Sequence, residues 1–495
     1  MNSRMVSVLA AFVCYLSVMV MIGWRYMKKN SSSGDFFLGG RKVGPWMTAL
    51  SAEASDMSGW LLMGLPGVAY LGGMKEAFWT AVGLIIGTYL NWLLVAKRLR
   101  KYTIHTNDAI TIPEFFTNRF KDSKRLISAV SVVFILIFFT IYTASGFVAC
   151  AKLFNSVFNI PYLPALLLGI AVILAYTLLG GYLAVCATDF VQGTLMFVSL
   201  VVTAIIMVVS LGGPAEAAVK LSEFGTNFLN PFVAGGSFGT MSIVSALAWG
   251  LGYFGMPHIL VRFMGLRSNA DVKVSRRIAM IWVVIAFAAA LLVGAFGRAY
   301  LLPAELSAGA ADTVFIEAIK KTYPAFIGGL FLCGILAAAM STADSQLLVA
   351  SSAFSRDIFK GFIKKDAGEK TTLLVSRITV VAVAAVAFCI SLNPNSSIFG
   401  LVSYAWAGFG ATFGPLVLLS LFWRGTTRNG ALAGLISGGI TVLLWKPLSG
   451  GIFDLYEIVP GFLVCLTVAV VVSLLDKNKN SEILAEFDAY KKLED

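Results

Sequence analysis

Charge is scarce in this 495-residue chain. Only 13% of its residues are Asp, Glu, Lys or Arg and 58% are apolar, where soluble globular domains carry about 25% charged residues. That balance is foreign to a soluble enzyme. Histidine and cysteine are also sparse, at two and six. Cys14, Cys150, Cys186, Cys333, Cys389 and Cys465 are scattered in or beside apolar stretches with no CxxC pair, so neither a disulfide framework nor a metal-thiolate site is indicated. His105 and His258 stand far apart in sequence and read as loop or helix-end residues, which leaves no histidine-based catalytic centre. No GxxxxGK[ST] phosphate loop occurs and no loop exceeds about 30 residues, so this chain offers no site for transport driven by nucleotide hydrolysis.

What the chain has in abundance is long apolar runs. A helix needs about 20 mostly apolar residues to cross a bilayer, and such runs fall near 5–24, 46–72, 77–96, 126–151, 162–180, 190–211, 238–260, 278–300, 325–352, 371–391, 399–423, 429–445 and 457–475. The expectation is an all-α polytopic membrane protein of about thirteen transmembrane helices. The formal charge of +12 does not point to nucleic acid, because the basic residues alternate with the loops. Loops 25–44, 97–125, 261–277, 353–370 and 424–428 and the tail from 476 hold 29 Lys and Arg, against about 8 in the opposite set. The richer set is cytoplasmic by the positive-inside rule, which puts the N-terminus outside and the C-terminus inside. The first run follows only Arg4 and lacks a small-residue cleavage site, so it reads as a retained helix. Residues 1–475 are then a single transmembrane unit in contact with lipid, and 476–495 a short charged cytoplasmic tail with helical periodicity.

Charged side chains inside such runs cost at least about 2.5–3.5 kcal/mol each, which makes every one a functional candidate. The second run contains Ala-Glu-Ala-Ser-Asp-Met-Ser-Gly-Trp (52–60), with Glu53 and Asp56 three apart on one helical face. Short polar side chains compete for backbone hydrogen bonds and glycine lacks a Cβ, so the helix is predicted to break here, with Gly64, Pro66 and Gly67 close behind. Unwound backbone at membrane depth is tolerated where it lines a cavity, and its carbonyls suit a hard monovalent cation. The seventh run repeats the pattern with Trp-Gly-Leu-Gly-Tyr-Phe-Gly-Met-Pro-His (249–258), a second predicted break whose aromatic residues supply rigid apolar faces. Two interrupted segments five spans apart are the mark of an inverted-repeat transporter; the plainer reading of the glycines is close helix packing. The ninth run carries Ala337-Ala338-Ala339-Met340-Ser341-Thr342-Ala343-Asp344. Its small residues permit close approach to the second run, and its two hydroxyls are oxygen donors for a hard cation.

Other residues are read more modestly. Tyr142 and Ser145 either face the cavity or fill packing space. Asp189 reads as a gate, a second ion site or the cap of a helix beginning near 190, and Arg41 and Lys42 are explained by topology alone. Gly-Gly pairs at 39–40, 72–73, 212–213 and 328–329 mark helix ends and turns.

Together the runs S-A-E-A-S-D-M-S-G-W-L-L-M-G-L-P-G (51–67), G-G-Y-L-A-V-C-A-T-D (180–189), W-G-L-G-Y-F-G-M-P-H (249–258) and A-A-A-M-S-T-A-D-S-Q-L-L (337–348) resemble the solute:sodium symporter family, over essentially the whole chain. The resemblance implies a LeuT-type core of two inverted five-helix repeats, about 46–211 and 238–423, with discontinuous helices. It implies a sodium site formed by the carbonyls of Ala54, Met57 and Ala338 and the hydroxyls of Ser341 and Thr342. Asp56 would couple the ion to the substrate. Ser58, Gly59, Tyr142, Trp249, Tyr253 and Pro257 would line the substrate site, and within the family the motifs are most similar to those of members that take up L-proline. Arg41, Glu53, Asp189 and Asp344 are left as gate or modulatory positions, of which Asp344 is not required by the five-oxygen ion site. The chain is thus expected to be a symporter of the cell (inner) membrane with sodium as coupling ion, no other cofactor and no enzymatic activity. Another small solute such as pantothenate, another amino acid or a carboxylate on the same ion site, or a sensor that binds solute without moving it, remain the competing readings.

Overall fold

The computed structural model describes residues 3–27, 33–177, 181–225, 227–232, 238–477 and 480–493. Gly180 of the 180–189 motif lies outside them, as do residues 28–32 of the first basic loop and residues 478, 479, 494 and 495 of the tail. Among the described residues the chain is helical throughout, with no strand beyond an isolated bridge between Val43 and Leu266. Among the described residues nine helices are long and apolar enough to cross a membrane, or ten when the bent pair Thr240–Gly255 and Pro257–Gly265 is counted as one span.

The helices overrun several of the apolar runs because hydropathy does not see charged turns that continue a helix into water. The helix starting at Met74 carries on through a π-helical turn at Asn91–Ala96 into the basic Lys97–His105. The one predicted from 126 runs to Phe158, and Ala325–Ser352 continues as a π-helix to Ile363. Tyr182–Ser210 starts well before the predicted residue 190, so Asp189 lies inside the helix and is not its cap. The 328–329 glycine pair is also helical, in the first turns of Ala325–Ser352. A side chain at Gly329 would collide with Ala11 and Val8 of the Ser3–Met27 helix, so this pair marks a helix crossing rather than a turn.

Two breaks organise the interior. Pro45 opens Pro45–Asp56 at a position where its missing N–H costs nothing, and the helix stops at Met57 (φ −79°, ψ 61°) before resuming as Trp60–Gly64 and Leu65–Gly72. In the second, Thr240–Leu247 tightens into a 3₁₀ stretch over Ala248–Gly255. Met256 is then forced extended (ψ 105°) ahead of Pro257, where the chain bends by 46°. The glycines of this stretch are there for contact as well. Any side chain at Gly250 would strike the backbone of Gly83, one at Gly252 the Trp406 indole, and one at Gly255 the Phe409 carbonyl.

The first half-helix, Pro45–Asp56, packs on Tyr182–Ser210, Asp271–Tyr300 and Ala325–Ser352. The second broken segment packs on Ile398–Phe422 and Met74–Leu90. Ile398–Phe422 is almost wholly buried, whereas the Ser3–Tyr26 helix leaves most of its apolar surface outward. The tail forms a helix, Ser481–Lys492, whose Tyr490 stacks on Tyr102 with ring centroids 4.0 Å apart.

Candidate functional site

At the first break the residues of three helices converge. Ser341 Oγ is 2.7 Å from the Ala54 carbonyl and 3.3 Å from that of Ala338, so one hydroxyl joins the half-helix to the small-residue face opposite it. Thr342 follows it in sequence with its own hydroxyl buried and, among the described residues, unpartnered. A buried hydroxyl left unpaired costs about 1–3 kcal/mol, and oxygen donors are the ligand type that hard cations take. Met57 is fully buried at the first non-helical position. Three of the five expected ion ligands, Ala54, Ala338 and Ser341, are thus joined directly; Thr342 is the next residue on the same helix, and Met57 lies three residues beyond Ala54 where the helix opens.

Asp56 faces the neighbouring half of the pocket. Tyr253 donates to its Oδ2 at 2.6 Å, while Oδ1 is buried without a partner among the described residues. Its main-chain carbonyl accepts from Tyr142 Oη at 3.1 Å and from Trp60 Nε1 at 3.3 Å. Tyr142 therefore faces the break, whereas Ser145 bonds back to the Tyr142 carbonyl in its own helix. Ser58 sits in the break and its Oγ receives the Trp60 amide at 3.4 Å. Gly59 keeps the turn close to the Leu126–Phe158 helix, since a Cβ there would come within 2.8 Å of Ala149.

Trp249 lies against Phe399 and Tyr456, with centroids at 4.8 and 5.5 Å, and its carbonyl accepts from Trp406 Nε1 at 2.7 Å. It lines a cavity of about 350 Å³ together with Phe399, Tyr456, Ser403, Glu76 and Glu457. The Tyr253 ring meets Trp406 edge-on at 5.1 Å, so Trp249 and Tyr253 both pack on Trp406. Pro257 acts differently from these wall residues: it starts the helix that carries His258 and Arg262 inward.

Glu53 does not share the Asp56 environment. It turns to Trp92, whose Nε1 donates to Oε1 at 3.3 Å, and leaves Oε2 buried and unpaired. Asp189 and Asp344 belong to a separate buried network. Asp189 Oδ2 accepts from Ser51 at 2.6 Å and from Arg262 Nη2 at 3.2 Å, and both members of this ion pair are fully excluded from solvent. Arg262 further donates to Ser51 Oγ, the His258 carbonyl and Ser345 Oγ, and Ser345 donates to Asp344. Arg41 lies apart from all of these. Its guanidinium donates to Asp108, Thr103 and the carbonyls of Met264 and Ala109, and its backbone is held at φ 53°. Topology alone does not explain it, because it ties the 97–109 turn to the end of the second broken helix.

Two residues of this interior escape a reading of the sequence. Arg262 falls among the loop charges by hydropathy, although His-Ile-Leu-Val-Arg-Phe around it is a buried helix. His258 opens its helix as expected, yet it is fully buried between Phe139 and Tyr142.

Comparison with known proteins identifies the family. The profile described as the sodium:solute symporter family matches residues 36–438. The sodium/proline symporter of Escherichia coli (strain K12) is 46% identical over 489 residues, which is 97% of this chain and 96% of that protein. The high-affinity proline transporter PutP of Bacillus subtilis (strain 168) is 43% identical over 95% of this chain and 99% of its own length. Among solved structures, a sodium-coupled sialic acid symporter in a substrate-bound outward-open state superposes with a TM-score of 0.79 over 95% of this chain and 98% of that one, at 20% identity. Mhp1, a nucleobase-cation-symport-1 family transporter in a closed conformation, shares the fold at a TM-score of 0.55 and 13% identity, over 93% and 99%. The match over most of the chain, with relatives above 40% identity along nearly their whole lengths, makes this chain a transporter rather than an enzyme, and a member of the sodium:solute symporter family.

Proposed function

We propose that this chain carries L-proline into the cell together with sodium by alternating access. The observation that carries the reading is the Ser341 hydroxyl set between the Ala54 and Ala338 carbonyls, with the unpaired Thr342 hydroxyl beside it. In this proposal the ion is held by those four oxygens and the Met57 carbonyl. Sodium then fixes the opened turn at Met57–Gly59, in which Ser58 and the backbone N–H groups receive the substrate carboxylate. Trp249, Tyr253 and Tyr142 pack on or beside the pyrrolidine ring, and Pro257 sets the bend that places them. The Tyr253–Asp56 hydrogen bond joins the two halves: a substrate that orders Tyr253 orders Asp56, and Asp56 lies between the proposed ion ligands Ala54 and Met57. The names of the similar Escherichia coli and Bacillus subtilis proteins support proline as the solute.

The broken segment over 45–72 and the helices 162–177 and 428–445 join the ten crossings above as further spans, for thirteen in all. Residues 46–211 and 238–423 are proposed as the two inverted repeats, each opening on a broken helix, within a transmembrane unit ending near 475; the helical tail follows. The distribution of basic loops supports an N-terminus outside and a C-terminus in the cytoplasm of a cell (inner) membrane. In that orientation the cavity beside Trp249 opens outward, and the Asp189–Arg262–Ser51 cluster is the closure on the inner path, with Asp344 linked to it through Ser345. Glu53 and Arg41 hold neighbouring helices in register.

One sodium ion entering across about 100 mV supplies roughly 2.3 kcal/mol, and a tenfold sodium gradient adds about 1.4 kcal/mol. Together they support accumulation of roughly five-hundredfold, with no hydrolysis. The test is labelled proline uptake into proteoliposomes with and without an inward sodium gradient. Sodium-driven uptake that unlabelled proline abolishes is expected. Uptake indifferent to sodium refutes the coupling, stronger competition by another solute refutes proline, and saturable binding without accumulation makes the chain a sensor.

A further inference from the structure

A second polar cavity, of about 700 Å³, lies far from the ion and substrate residues, where the ends of two spanning helices meet. Leu126–Phe158 begins on one side of it and the π-helix Ala353–Ile363 ends on the other. Its lining includes Lys124, Arg125, Arg356, Lys360 and Lys365 against two carboxylates. Both carboxylates are already engaged. Glu114 accepts the Ile110 amide at 2.9 Å and faces Arg356 at 3.7 Å, and Asp357 accepts from Thr111 Oγ1 at 2.8 Å. Lys124, Arg125, Lys360 and Lys365 form no ion pair among the described residues, and Lys124 and Lys365 are exposed.

The five cations around this concavity outnumber its two carboxylates by three and repel one another, and a multivalent anion relieves that repulsion. The concavity has the size of a ligand pocket, for which roughly 300–1,000 Å³ is usual. The geometry also selects among anions. Leu126, Phe362 and Ile363 border the cations, and they are 41%, 44% and 66% exposed at the level where the two apolar helices leave the membrane. A charged recess rimmed on one side by exposed apolar residues at a helix end matches an amphiphile with an anionic head, and basic pockets between spanning helices hold such headgroups. Arg125 is placed for the purpose: it precedes the helix in a left-handed conformation (φ 53°), and its Nη1 lies over Gly361, where a Cβ would come within 3.1 Å.

We infer that this cavity is a binding site for the phosphate headgroup of an anionic phospholipid. The two helices it joins carry Tyr142 on one side and Ser341 and Thr342 on the other, so an occupied site clamps the ends of both elements that form the transport pocket. Assignment to the inner leaflet rests on the orientation proposed above. Lipid retention is read without sodium or proline, so the headgroup site and the symport reading fail separately.

The experiment is native mass spectrometry of the full chain released from micelles containing equal phosphatidylglycerol and phosphatidylcholine. The wild type is expected to retain phosphatidylglycerol selectively, and millimolar inorganic phosphate is expected not to displace it. The triple change Lys124→Gln, Lys360→Gln, Lys365→Gln should lower that retention at least fivefold with phosphatidylcholine retention unchanged. Lys364→Gln, on the same loop but off the cavity, should match wild type. Should the triple variant not fold, Lys365→Glu alone, at an exposed position, should lower retention at least twofold. Wild-type retention by the folded variants overturns the site, and displacement by inorganic phosphate overturns the lipid as its occupant.

Discussion

Removing the two hydroxyls at Ser341 and Thr342 is the most direct perturbation of the ion half of the pocket. Ser341→Ala deletes the oxygen that stands 2.7 Å from the Ala54 carbonyl and 3.3 Å from that of Ala338. Thr342→Ala removes a hydroxyl that has no partner among the described residues. The two single variants therefore separate stability from ion binding. Ser341→Ala should lower sodium-free stability by about 0.5–1.5 kcal/mol, the net worth of one hydrogen bond. Thr342→Ser, which keeps the oxygen, should leave the ion half intact. If each hydroxyl contributes about 1–1.5 kcal/mol to holding the ion, a single alanine raises the sodium needed for half-maximal uptake about five- to twelvefold, and the pair raises it about 30- to 150-fold. The assay is initial-rate uptake of labelled proline across a sodium titration, alongside thermal melts in sodium-free buffer. A folded double variant with wild-type sodium dependence would refute the argument, because a hard ion cannot lose two of five oxygens without cost.

Two further predictions follow from the same pocket and its neighbouring network. Asp56→Asn keeps the shape at the end of the Tyr253 bond but removes the charge, so it should sharply cut sodium-driven uptake and raise the half-saturating sodium at least tenfold; wild-type sodium dependence in an uptake titration would remove Asp56 from the coupling. Arg262→Met strands Asp189 in a fully buried position, which costs about 3–5 kcal/mol, so its thermal midpoint should fall; Arg262→Met with Asp189→Asn should recover most of that loss, and an equal loss in the double variant would show that the ion pair is not the reason.

The breaks are the most legible part of the chain. Ser55, Asp56, Ser58 and Gly59 announce the first interruption because no run of residues so poor at staying helical survives at membrane depth without a reason, and the helix does open at Met57. Glycines and Pro257 announce the second, although the same glycines also serve the close packing that is the competing reading. Hydropathy fails where helices run on through charge, as in Lys97–His105, since basic residues stop an apolar window without stopping a helix. Arg262 is hidden for the same reason. A lone arginine near the end of an apolar run looks like a loop residue until tertiary contact supplies Asp189, 73 positions away. The Glu53 and Asp56 spacing predicts a shared face, yet only three-dimensional neighbours could show that one faces Trp92 and the other Tyr253.

The central claim is that ion and solute occupy adjoining parts of one opened helix and prepare each other's site. Isothermal titration of purified protein with proline at several fixed sodium concentrations, and with sodium at several fixed proline concentrations, tests it most directly. Reciprocity requires both series to give the same coupling factor, here expected to exceed tenfold. Equal proline affinity in the presence and absence of sodium would contradict the account.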